Sequence, residues 1–223
     1  MQNGSRFRGV LIAAASTVCA LTLLVAPAGA SSTDTAKKLV ITKRDVGSSY
    51  TETKAVTSPD SFGTLATCVG KPATNRALVS DVQGSEFNNA VTGAVIFSSV
   101  QVVKTRTMAN ADRAVLSDPK FANCVAQLLT SSAAATAHLS GIRAQRVTVK
   151  RFGDYSTAVL VVANGTTPSG VPVSVTQIEV GIVKGRAEMS AGFTTHGAKP
   201  FDRRTAETIL AKVSARMAHA NVS

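Results

Sequence analysis

Apolar positions fall into three regimes along the chain. Val10 to Val25 is apolar or small at nearly every position. Downstream, helical spacing comes first. Leu65, Cys68 and Val69 share one helical face, in a helix that Asp60 can cap and Gly70-Lys71-Pro72 ends. Thr107 can cap a helix with Met108, Ala111 and Val115 inward. Asp118 at N-cap and Pro119 at N1 start another, whose Phe121, Cys124, Val125, Leu128 and Leu129 recur at i, i+3, i+4, i+7 and i+8. A last helix, capped by Asp202, presents Ala206, Ile209, Leu210, Val213 and Met217.

Period two marks the strands. Ala94 to Val103 carries Ala94, Ile96, Val100 and Val102 on one face and Val95 and Phe97 on the other, as a central strand does. Arg146 to Lys150 alternates basic and valine, and Tyr155 to Ala163 is almost continuously apolar. Val171, Val173 and Val175 lie on one parity but Ile178, Val180 and Ile182 on the other. This switch near Thr176 and Gln177 predicts a β-bulge or a change of packing partner. Lys184-Gly185 predicts a hairpin into Ala187, Met189, Ala191 and Phe193. Nearer the start, Ser31 to Lys38 reads as a polar lead-in to Leu39-Val40-Ile41. Asp45 to Tyr50 reads as a turn, Thr51 to Val56 as a strand and Ser85 to Phe87 as a short strand. Thr130 to Ser140 reads as a helical extension or a soft linker. Helices cluster in the first half and meander strands in the second. The fold class is therefore α+β, an antiparallel sheet with helices packed mainly on one face.

The leading apolar run changes this picture. Arg6 and Arg8 precede it, and Pro27 and Ala28-Gly29-Ala30 follow, which is the layout of an export signal cut after Ala30. That leaves residues 31–223 as a single domain. An uncleaved anchor and a lipidated Cys19 are the alternatives. Ser16-Thr17-Val18 is a poor lipidation context, since Leu or a similar residue is wanted first and a small residue last. Export places the chain in an oxidising compartment, so Cys68 and Cys124, both on inward helix faces, are expected to pair. The closed loop would stabilise by roughly 4 kcal/mol in the chain-entropy treatment. Of the formal net charge of +11, Arg6 and Arg8 account for two, leaving +9 after cleavage. Outside the cytoplasm this charge does not point to intracellular nucleic acid, and at 4% aromatic residues the stacking platforms of such readers are missing. It points to an envelope polyanion or an acidic lipid. Arg146, Thr148 and Lys150 on one outer strand face, with Arg186 on another beside Glu188 and Ser190, form the candidate anion-binding surface.

No nucleophile elbow, phosphate-binding loop or metalloprotease motif occurs. Ser117 and Lys120 have the Ser-x-x-Lys spacing of penicillin-recognising enzymes, but their partner motifs are missing and Asp118-Pro119 explains the same residues as a helix start. Of the histidines, His138, His196 and His219, only His196 sits in a loop placed as a functional loop would be. No metal ligands, no catalytic residues and no cofactor are expected.

The order of an Asp-Val-Gly-Ser-Ser-Tyr turn (Asp45 to Tyr50), a helix with Cys68, Phe-Ser-Ser-Val-Gln-Val-Val (Phe97 to Val103), a helix with Ala109 and Ala111, Cys124, and Phe-Gly-Asp-Tyr-Ser (Phe152 to Ser156) resembles the PknH-like extracellular sensor domains of actinobacteria and their secreted or lipid-anchored relatives. The resemblance spans about residues 39 to 219. It implies a twisted antiparallel sheet with helices on one side and a cleft for a ligand, and no catalytic residues. Two departures stand out: the family's turn usually ends in Trp where this chain has Tyr50, and the kinase-linked members carry a second disulfide.

Three functions compete: a secreted, monomeric ligand-binding domain of sensor type for a small apolar or anionic ligand; a structural or interaction protein of the cell envelope held by its basic surface; and a small secreted hydrolase. The ligand site is expected on the side of the sheet away from the helices, or at its edge. N-terminal sequencing of secreted protein is expected to begin at Ser31; a mature end at an acylated Cys19 would overturn the leader reading.

Overall fold

The computed structural model describes residues 30–54, 62–71, 77–133, 138–166, 170–197 and 199–220. The leader, its Cys19 alternative and the Asp60 cap lie outside them, except that Ala30 begins the first helix. In chain order the elements are α1 (Ala30–Leu39), α2 (Lys43–Val46), β1 (Thr51–Thr53), α3 (Phe62–Cys68), β2 (Leu78–Gln83), β3 (Glu86–Asn89), β4 (Ala94–Val103), α4 (Arg106–Ser117), α5 (Phe121–Ala133), β5 (His138–Val147), β6 (Tyr155–Thr166), β7 (Pro172–Lys184), β8 (Ala187–His196) and α6 (Arg203–His219). The eight strands form one antiparallel sheet in the order β1-β3-β4-β8-β7-β6-β5, with β2 also on β4. β2 and β3 share one edge of β4: Val82 lies opposite Val100 and Phe87 opposite Ile96. Among the described residues no helix is long and apolar enough to cross a membrane.

The fold is α+β, but the helices divide between the two faces rather than gathering mainly on one. On the first face, Ile96 and Val100 of β4, Val180 and Ile182 of β7, and Met189 and Phe193 of β8 pack beneath Leu39 and Ile41 and beneath Ile209, Leu210, Val213 and Met217 of α6. Val147 and Val149 join this side, as their alternation predicts. On the second face, Val159 and Val161 of β6 pack beneath α3 and α5 through Leu65, Val69, Phe121, Cys124 and Val125. The sequence pattern conceals this second layer because only β5 and β6 show it strongly apolar residues. The Cys68–Cys124 disulfide joins α3 to α5 within that layer.

Several boundaries differ from the sequence reading. Ser31 to Lys38 is not a frayed lead-in but most of α1, fixed because Ala36 and Leu39 are buried against the first face. β2 was hidden by mixed polarity, since it lies on the outer edge of β4. α4 starts two residues earlier than a Thr107 cap would place it: Thr105 is the cap and accepts the Met108 N–H at 3.2 Å. Its buried face is Ala109, Asp112 and Val115, one residue away from the expected Met108 and Ala111. The strand expected at Arg146 to Lys150 is the end of β5, which stops at Val147. Asp202 caps α6 as expected, accepting the Thr205 N–H at 2.9 Å.

One fork fastens the N-terminal elements to α6. Arg216 places its two terminal nitrogens on the two oxygens of Asp45, each at 2.8 Å. Its Nε donates to the Lys38 carbonyl at 2.8 Å and its Nη2 also to the Val40 carbonyl at 3.0 Å. Burial pushes the Asp45 carboxyl up, but the Arg216 and Thr42 hydrogen bonds more than reverse this, so its pKa is lowered from 3.8. A depressed carboxyl stabilises the fold above its unfolded value and loses that contribution as pH falls through the folded one. Arg216→Ala is expected to cost about 3 kcal/mol in urea unfolding at pH 7, because it strands a buried carboxylate. That deficit should narrow on acidification below about pH 4 as the carboxyl protonates. A deficit that is small, or constant through that range, would contradict it.

Candidate functional site

The central strands meet both layers, so the residues between them are enclosed whether polar or not. On the second face, β7 and β8 carry polar residues where β6 carries valine. The register sets Gln177 opposite Thr194, Glu179 opposite Gly192 and Gly181 opposite Ser190. Two consequences follow from the glycines. A Cβ on Gly192 would fall 2.1 Å from the ring of Phe97, so Gly192 is the floor on which that ring lies. A Cβ on Gly181 would stand 3.5 Å from Thr157 and 3.7 Å from Leu116, so the missing side chain leaves space. That space is a cavity of about 80 Å³. Phe62, Leu65, Leu116, Phe121 and Val125 roof it, and Ser99, Thr157, Glu179, Glu188 and Ser190 are among its floor.

The floor is wired. Thr194 donates its hydroxyl to Gln177 Oε1 at 3.2 Å, and Gln177 Nε2 donates to Glu179 Oε2 at 2.9 Å. Ser190 donates its hydroxyl to Glu179 Oε1. Loss of water around the carboxyl dominates its ionisation, and the two donors only partly oppose it. The pKa of Glu179 is pushed from 4.5 up to about 7. Near neutrality this group carries either a charge or a donatable proton, facing an apolar roof. That combination suits a small ligand, apolar in body with one hydrogen-bonding end.

The parity switch at Thr176 and Gln177 marks this site. β7 pairs with β6 and β8 through an unbroken register there, so there is no bulge; the described register shifts lie in β5, between Ser140 and Arg143, and in β2. The alternation breaks because the second face changes at that point from valine to the polar cavity floor. The switch at Gln177 was the available signal, although Glu179 was not itself singled out.

The candidate anion-binding residues do not share one face. Arg146 lies on the second face and ties elements together: it donates to Thr157 Oγ1 at 2.6 Å and to the Leu116 and Asp118 carbonyls at 2.5 and 2.7 Å. Its guanidinium also sits 5.6 Å above the Phe121 ring. The guanidinium fork thus closes the exit of α4 and the entry of α5 over the sheet. Thr148 and Lys150 lie beyond the end of β5, and the Lys150 N–H faces Glu207 of α6 at 3.3 Å, towards the first face. Arg186, in the β7–β8 turn, donates to the Lys104 carbonyl at 3.3 Å. The expected helix-free side of the sheet is covered over β5 and β6 by α3 and α5.

His196 ends β8 opposite Val175, with its ring 3.7 Å from a Cβ placed on Gly93. Six strand residues, about 20 Å, separate it from Ser190. Asp118 accepts the Lys120 N–H at 2.9 Å, so the Ser-x-x-Lys residues are engaged in the α4–α5 turn. Among the described residues no group of three or more His, Cys, Asp or Glu is placed to hold a metal ion.

Because the folded Glu179 binds its proton more tightly than the unfolded chain, stability is expected to fall as pH rises from about 4.5 to about 7 and then level off. The change is at most about 3 kcal/mol. Glu179→Gln is expected to flatten this slope and to be more stable than the native chain at pH 8. Urea unfolding at pH 5 and pH 8 measures both; equal pH slopes in the two proteins would place the titration elsewhere.

No protein-family model matches the chain, and no curated protein matches it in sequence. Among solved structures it is similar to the extracellular domain of PknH from Mycobacterium tuberculosis, at 13% identity and a TM-score of 0.41, covering 82% of this chain and 96% of that one. It is also similar to PA94 from Pseudomonas aeruginosa, a protein of unknown function described as a putative regulator, at 14% identity and a TM-score of 0.25, covering 78% and 96%. Likenesses at this level carry neither a fold assignment nor a function to this chain.

Proposed function

We propose that the chain is an exported, non-enzymatic ligand-binding domain of sensor type, whose ligand inserts a small group between the roof of α3–α5 and the second face of the sheet. The observation that carries this reading is the pairing of an apolar roof with Glu179 and Ser190 on the cavity floor, held by hydrogen bonds that run on to Gln177 and Thr194 beside it. A fold that needed only a core would fill this space with valine, as β6 does next door. At about 80 Å³ the cavity admits the end of a ligand and not a whole drug-sized molecule. Apolar contact supplies most of the affinity and Glu179 supplies selection for a hydrogen-bonding end. The leader-like start and the disulfide support a location outside the cytoplasm.

The test joins native mass spectrometry of the secreted protein with thermal shift against n-hexylamine and hexanoic acid. Co-purifying mass, or a raised melting temperature with either probe, is expected for the native chain. Gly181→Val places a side chain in the space and should abolish the shift. A native protein with neither co-purifying mass nor a shift, or a Gly181→Val protein that responds as the native does, would count against the cavity as a site.

A further inference from the structure

A second opening lies on the other side of the molecule. An open groove of about 1200 Å³ runs between α1, α2 and the end of α6 on one side and the break between β2 and β3 on the other. Its walls carry Lys37, Lys38, Lys43, Arg44, Arg216 and His219 against Asp45 and Glu52. Asp45 is neutralised by the Arg216 fork, whereas Glu52 accepts the Ser85 hydroxyl at 2.5 Å and is the one carboxylate of the groove without an ion pair among the described residues. Arg216 is committed to that fork, and it takes the Lys38 and Val40 carbonyls at the end of α1, which would otherwise repel an anion. The side chains of Lys37, Lys38 and Arg44 are exposed and have no ion-pair or hydrogen-bond partner among the described residues.

A second observation is independent of charge. Gln83 lines the same groove, and its Nε2 is buried with no hydrogen-bond acceptor. A buried amide donor without an acceptor is unfavourable, and an anionic oxygen relieves it. The terminal amide turns about a broad torsion, so presenting the donor to the groove needs no backbone movement.

We propose that this groove is a binding site for a phosphate-type oxyanion, held by Lys37, Lys38 and Arg44 and selected by the Gln83 amide. A tetrahedral oxyanion offers several acceptors in different directions, which matches donors arriving from α1, α2 and β2. The volume suits a ligand with more than one such group, whether free in solution or at a lipid surface. The site is independent of the cavity beneath α3–α5, and the Gly181→Val variant should bind here as the native chain does.

The experiment titrates the full mature protein at low salt with inorganic pyrophosphate, and separately with phosphatidylglycerol vesicles. Pyrophosphate binding is expected to weaken by about tenfold or more in Lys37→Glu/Lys38→Glu/Arg44→Glu. The same reversal at Lys120, Lys199 and Arg204, exposed cations elsewhere, should change it less than about twofold. Gln83→Leu should weaken it by about threefold while leaving the melting temperature unchanged or raised, since it removes a buried unpaired donor. Binding to vesicles alone, lost in the groove triple variant and kept in the remote one, assigns the phosphate to a lipid head group. Binding to neither probe, or equal loss in both triple variants, overturns the site and leaves only net charge.

Discussion

Enclosure of the central strands from both sides is the constraint on which the rest of this molecule depends. β6, β7 and β8 lie between α1 and α6 on one face and α3, α4 and α5 on the other, so residues of either parity are wholly or partly withdrawn from water. Burial of apolar side chains on the first face supplies the stabilisation expected of such a sheet, about 2 kcal/mol for each fully buried large aliphatic group. On the second face the same enclosure acts on Glu179, whose charge must be solvated by Ser190 and Gln177 in place of water. The raised pKa and the cavity therefore share one cause. The sheet is covered, and at Gly181 nothing fills the space under the cover.

Much of the architecture was legible because it depends on period. The inner face of α6, the long strand β4, the β7–β8 hairpin and the pairing of Cys68 with Cys124 each follow from the spacing of apolar residues or from compartment. What was not legible depends on tertiary context. α1 reads as polar because it buries one narrow stripe, Ala36 and Leu39. β2 reads as mixed because an edge strand has little apolar demand. The two-sided layering was concealed because it is concentrated in β5 and β6, whose apolar residues serve both faces.

The site was half visible. The parity switch in β7 was a true signal with the wrong first explanation: a break in alternation can mean an extra residue or a change in what the face meets, and only the register separates the two. Arg146 shows the opposite limit. An arginine on a strand looks available to a ligand, yet its fork is occupied by the carbonyls of Leu116 and Asp118 and the hydroxyl of Thr157. Sequence reveals where a cation is but not what its donors already hold, and in a basic protein that difference decides which cations remain open to a partner.

The disulfide adds a consequence for how the roof can move. It ties α3 to α5, and neither thiol is on the sheet. The roof is therefore a cross-linked pair of helices resting on the strands, and a molecule entering beneath it displaces both helices together or neither. Bond and occupancy then become thermodynamically linked. If cutting the tether lets α3 separate from α5, the affinity of anything seated beneath falls, and by reciprocity an occupant makes the bond harder to reduce by the same factor. Redox poise around the protein and occupancy beneath the roof would be read through a single mechanical element.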